Sequence, residues 1–137
     1  MSSNPPPEEI RAALRSARTI AVVGFSPKMQ RPSYRIARSL QEFGYRVIPV
    51  RPGLADGLGE KAYASLRDLP AAPDIVDVFR RSDAVDAIVD DCIAIQAKYL
   101  WLQQGVINEA AAERARAAGI TVVMDRCIWQ DYRALLG

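Results

Sequence analysis

A chain of 137 residues, half of them hydrophobic, is long enough to bury one core and short enough to be a single domain over 1–137 without disulfide or metal staples. Eighteen Lys and Arg against sixteen Asp and Glu leave a formal charge of +2, which excludes a global nucleic-acid footprint and leaves only local clusters to look for. With no histidine, imidazole zinc sites, histidine acid–base catalysis and phosphohistidine chemistry are excluded, and two cysteines, Cys92 and Cys127, are too few for a disulfide scaffold.

No apolar run approaches the roughly 20 residues that span a bilayer, and MSSNPPPEEIR lacks the charged and apolar halves of a leader. The expectation is a cytoplasmic protein with no membrane and no nucleic-acid partner. Asn4 to Pro7 is an extended lead-in to a helix with Glu8 and Glu9 in its first turn and the apolar stripe Ile10, Ala13, Leu14, Ala17. Lead-in and helix together cover 1–17. Ile20 to Val23 is an apolar run without alternation, the pattern of a strand covered on both faces, and Gly24 ends it in a sharp turn. From Pro32 or Ser33 the spacing Ile36, Ala37, Leu40, Phe43 is helical, with Ser33 as N-cap and Gly44 as stop.

YRVIPV at 45–50 is the second strand, and Arg51-Pro52-Gly53 turns directly after it. Residues 53–63 wander through Gly53, Gly57 and Gly59, and 64–69 hold one or two helical turns before Pro70 and Pro73, a shortened crossover. DIVDVF at 74–79 is the third strand, and Val85, Ile88, Val89, Cys92 and Ile95 mark the next helix. KYLWL at 98–102 is the fourth strand; Asn108 caps an Ala-rich helix that stops at Gly119; Ile120 to Met124 is the fifth strand, and 128–137 reads as a C-terminal tail. Strand and helix alternate throughout. The fold predicted is α/β, a Rossmann-like doubly wound parallel sheet of five strands with helices on both faces, in the order 3-2-1-4-5.

Ligands of such sheets bind at the carboxyl ends of the strands, near the reversal of strand order, here expected between the first and fourth strands. The loops at that end carry Lys28, Arg31, Arg51, Arg80 and Arg81, a local basic cluster that predicts a polyanionic small molecule, with Arg suited to bidentate phosphate contact. Ser26 and Ser33 add hydroxyls ahead of a helix N-terminus. Arg80 and Arg81 are consecutive, so one faces the pocket rather than both. A G-x-G-x-x-G fingerprint would need glycines where Ser26 and Met29 stand, and NAD would need an acid at the end of the second strand where Val50 and Arg51 stand. Arg51 suits a phosphorylated ribose, which leaves NADP and coenzyme A. An oxidoreductase reading finds no Tyr-x-x-x-Lys pair and no substrate domain. Cys92 on its apolar stripe reads as core, and Trp101 and Trp129 as packing residues.

VVGFSPKMQRPSYRIARSLQEFGYRVIPVRP at 22–52, DIVDVFRRSDAV at 74–85, WLQQGVINEAA at 101–111 and VVMDRC at 122–127 together resemble the small CoA-binding domain proteins. These are similar to the nucleotide-binding domain of the succinyl-CoA synthetase alpha subunit. The resemblance implies a loop of Gly24, Ser26, Pro27 and Lys28 around the CoA phosphates, Arg51 and Pro52 at the nucleotide end, Phe79 to Ser82 on its other side, and Gln103, Gln104 and Gly105 meeting the ligand at the fourth strand. Ligase activity is not implied, because the synthetase needs a histidine and a second domain. The expectation is a CoA or acyl-CoA binder acting as carrier, sensor or regulatory module, as a homo-oligomer or beside a separate enzyme subunit. Cys127, beside Arg126, is either an inert thiol or a thiolate able to form a mixed disulfide with CoA.

Overall fold

The computed structural model describes residues 4–137; residues 1–3 of the lead-in lie outside the described residues. In chain order the long elements are α1 (Pro7–Ser16), β1 (Thr19–Val23), α2 (Pro32–Glu42) and β2 (Arg46–Val50), then the two-residue strands β3 (Asp56–Gly57) and β4 (Glu60–Lys61). They continue with β5 (Ile75–Val78), α3 (Val85–Ala94), β6 (Tyr99–Leu102), α4 (Glu109–Ala117), β7 (Thr121–Met124) and α5 (Ile128–Leu135). Each of the five long strands is an apolar run because each is covered on both faces. Ala21, Val23, Val76, Val78, Leu100, Leu102, Val122 and Met124 pack on one side against α3 and α4. Ile20, Val22, Val47, Ile75, Trp101 and Val123 pack on the other against α1, α2 and α5.

The sheet is parallel throughout, in the order β2-β1-β5-β6-β7. In chain numbering of the five long strands this is 2-1-3-4-5, and it corrects the expected 3-2-1-4-5. The third strand does not lie outside the second; β5 sits against β1 from Ile20↔Ile75 to Val23↔Val78. The physical reason is in β2 itself. Pro49 has no N–H to give to a ladder, so the strand that carries it belongs at a sheet edge. On its outer side β2 has a backbone bridge at Tyr63, where the Pro49 carbonyl accepts from Tyr63 N (3.1 Å) and Arg51 N donates to Tyr63 O (2.8 Å), in place of a further long strand. β5, buried at all four positions, has the composition of an interior strand.

Residues 53–63, expected as loop, contain the β3–β4 hairpin, and the helical turn expected within 64–69 is the 3-10 turn Leu66–Asp68, capped by Ser65. The expected C-terminal tail 128–137 is for the most part α5. Ile128 is fully buried and Tyr132, Leu135 and Leu136 follow at helical spacing against the same core. Tyr132 stacks on Phe43 at a ring separation of 3.9 Å, tying α5 to the end of α2. At the opposite edge of the sheet the Asn4 side chain pairs twice with Met124 of β7, accepting its N–H (2.8 Å) and donating to its carbonyl (3.0 Å).

Candidate functional site

Because β5 lies beside β1, the strand order reverses between the first and third strands, not between the first and fourth. The loops after β1 and β5 therefore face each other directly, with the loop after β2 on one flank and the loop after β6 on the other. Two adjoining hollows open there. The larger, about 600 Å³, is lined by Lys28, Arg31, Arg51, Arg80 and Arg81, with Ser26, Ser33, Phe79, Gln103 and Gln104. The smaller, about 490 Å³, lies on the α3 side between Pro52, Ser65, Leu66, Ile88 and Asp91. Gly24, Arg51 and Arg80 border both and form the ridge between them.

The loop after β1 is shaped by its own hydrogen bonds. Gly24 turns at φ +85°, a conformation open to glycine, and its N–H donates to Val50 O (3.1 Å). Phe25 then plunges into the core, fully buried against Tyr34. The Ser33 hydroxyl accepts from Ser26 N (2.9 Å), and the Ser26 hydroxyl accepts from Lys28 N (3.2 Å). Ser33 is not the N-cap of α2: Arg31 holds that position and Pro32 follows as the first helical residue, so Ser33 falls inside the first turn and uses its hydroxyl to fix the loop. Arg51 Nη1 donates to Phe25 O at 3.3 Å, drawing the second loop onto the first.

The loop after β5 distributes its two arginines differently. Arg80 crosses the ridge, whereas Arg81 begins the 3-10 turn Ser82–Ala84 with a side chain 84% exposed and paired to Asp83 at 3.3 Å. Both line the larger hollow, but Arg80 alone of the two reaches the smaller. Ser82 joins this loop to the loop after β6: its hydroxyl accepts from Ile107 N (2.9 Å) and its carbonyl from Asn108 Nδ2 (3.0 Å). Gln103 is buried and its Oε1 accepts from Ile128 N (3.2 Å), which leaves the exposed Gln104 as the more accessible amide. Gly105 donates its N–H to Asp125 Oδ1 (2.7 Å) and stands outside both hollows, as does Pro27.

Several residues of the smaller hollow were not legible beforehand. Asp91, held by Arg67 Nε at 2.6 Å, belongs to α3, and Ser65 and Leu66 to a crossover whose path depends on the strand order. Only the Ser65-x-x-Asp68 spacing advertises a capped turn there. Asp125, with φ +62°, has its signal only in three dimensions, as the acceptor that fixes Gly105. Arg126 is gripped by both Asp131 oxygens (2.7 Å each), and Cys127 is half-buried at the start of α5, outside both hollows. Cys92 is core, its thiol pushed up to about 12 by burial and, less, by Asp91. No cluster of acids and cysteines able to hold a metal, and no helix long and apolar enough to cross a membrane, occurs among the described residues.

One buried group stands apart from this machinery. Asp77, on β5 between Val22 and Trp101, is fully buried with neither carboxylate oxygen hydrogen-bonded among the described residues, and burial holds its carboxyl well above the usual carboxylate range.

Residues 18–133 match the CoA binding domain family. The chain is 39% identical over 125 residues to the protein YneT of Bacillus subtilis (strain 168), covering 91% of this chain and 93% of that one. A solved protein from Pyrococcus horikoshii OT3 superposes over the whole of both chains with a TM-score of 0.92 at 34% identity. The dinucleotide forming acetyl-coenzyme A synthetase 1 of Ca. Korarchaeum cryptofilum matches 78% of this chain with 26% of its own length, at a TM-score of 0.70 and 26% identity.

Proposed function

The chain belongs to the CoA binding domain family, and from that premise we propose that it binds coenzyme A or an acyl-CoA as a carrier, sensor or regulatory module with no catalytic residues of its own. The observation that carries this reading is the convergence of Lys28, Arg31, Arg51, Arg80 and Arg81 on one cleft in a chain of formal charge only +2. A polyanion with separated phosphates matches that distribution: CoA has a diphosphate at its centre and a ribose phosphate at one end. Of the residues named from the sequence, those that line the two hollows are the contacts proposed, while Pro27 and Gly105 shape the loops that carry them.

Calorimetry with CoA, dephospho-CoA and NADP(H) tests the reading. Binding of CoA in preference to NADP(H) is expected; no CoA binding at high micromolar concentration, or a preference for NADP(H), refutes it. Arg51→Ala is expected to weaken CoA roughly tenfold and dephospho-CoA less, because an Arg–phosphate contact is charge-assisted. Equal losses would place Arg51 away from the ribose phosphate. A second reading is a module that works beside a separately encoded catalytic subunit, supported by the synthetase in which the matching segment is 26% of a longer chain. A stoichiometric partner retained through purification from the native host is the result that favours it.

A further inference from the structure

The bare α-carbon of Gly24 faces protein rather than an open cleft. A β-carbon added there would stand 2.5 Å from the Phe79 carbonyl oxygen, 2.8 Å from Cδ and 3.1 Å from Cγ of Arg80. A glycine in a phosphate-binding turn is ordinarily explained by close approach of the ligand. Here the space is already filled, by the Phe79 carbonyl oxygen and by the methylenes of Arg80. The cause is the strand order: with β5 against β1, Phe79 N donates to Val23 O (2.8 Å), and Arg80 leaves its strand directly above Gly24.

We infer that Gly24 is a positioning residue for Arg80, a seat for the arginine's aliphatic stem that holds the guanidinium on the ridge between the two hollows, where the diphosphate of a CoA-type ligand would bridge them. This rests on the function proposed above. An arginine in solution samples many rotamers and must give them up on binding. A stem laid on a bare backbone has surrendered part of that freedom before the ligand arrives, which is how a long side chain becomes preorganised. Arg81, one residue on, has no such seat and projects into solvent against Asp83.

A double-mutant cycle read by calorimetry with CoA decides the matter. Arg80→Ala is expected to weaken CoA roughly tenfold, the effect of losing a charge-assisted phosphate contact. Gly24→Ala is expected to weaken it at least comparably in the wild-type background and by clearly less when Arg80 is already alanine, the loss that remains being the strain of the turn and the clash with the Phe79 carbonyl, which no change at Arg80 relieves. Losses that multiply would mean that Gly24 serves the ligand or the loop directly, and would overturn the inference. Gly24→Ala also strains the turn, so a measurement on the unaltered protein stands beside it. The Nε–H of Arg80 in the free protein should show a higher heteronuclear NOE than that of Arg81. An Arg80 as mobile as Arg81 overturns the seat. Wild-type protein that binds no CoA refutes the proposed function instead, and the NOE of Arg80 still decides whether the seat exists.

Discussion

An acid buried between Val22 and Trp101 with no hydrogen-bond partner is a cost that the fold carries in its central strand. Burial raises the Asp77 carboxyl well above the usual carboxylate range in the folded state, while in the unfolded chain it ionises near the ordinary value of about 4. Its folded value is raised, so the folded protein binds the proton more tightly. Below about pH 4 both states hold the proton and the charge adds no penalty; as the pH rises from there toward the folded value the unfolded chain ionises and stability is lost progressively. Urea unfolding should show wild-type stability declining from pH 4 to pH 8, with a shallower decline in Asp77→Asn. Asp77→Val should be more stable than wild type at pH 8 by about 1–3 kcal/mol, the cost of a buried unsatisfied polar group. A Val variant that is less stable would mean that the carboxyl has an unrecognised partner. The two thiols offer a second contrast at this scale. Cys92, buried and with its thiol pushed up to about 12, should resist alkylation at pH 8 until the protein unfolds, while Cys127 reacts in the folded state.

Among the elements, those with a strong local signal were legible in the sequence and those defined by their neighbours were not. The five long strands announce themselves as apolar runs, and Asn108 caps α4 through Ala111 N at 3.1 Å as its spacing predicts. The basic residues of the cleft are legible for the same reason, since each lies in a loop that follows a strand. The order of the strands was harder, because handedness rules permit several doubly wound orders. The deciding mark was Pro49, a single residue whose missing N–H sends β2 to the edge. α5 is faint in the sequence because Ile128, Tyr132 and Leu135 are a sparse stripe beside the strong signals upstream, and only the docked helix shows Ile128 fully buried. Ile128→Ala should therefore cost about 2–5 kcal/mol in thermal or urea unfolding, the range for truncating a buried aliphatic side chain. A cost near zero would restore the reading of this segment as a tail. The smaller hollow was not legible because it is assembled from α3 and the crossover, residues brought together only by the order β2-β1-β5.

At the scale of the whole molecule, near-neutrality conceals a cleft end with five converging cations. Exposed charges are screened over about 8 Å at physiological ionic strength. The affinity for CoA should therefore fall as salt is raised from 50 to 500 mM, and Arg31→Ala should make that dependence shallower; an affinity indifferent to salt would mean that apolar contacts dominate. The two margins of the sheet carry a different lesson. On β2 a proline and the Tyr63 bridge occupy the outer edge, and on β7 a single asparagine side chain imitates the next strand by satisfying both backbone groups of Met124. Exposed strand edges are templates on which chains add to one another. With Asn4 filling that place on β7, Asn4→Ala, although remote from the cleft, should show itself first in light scattering, as a protein that still folds but associates more readily at high concentration.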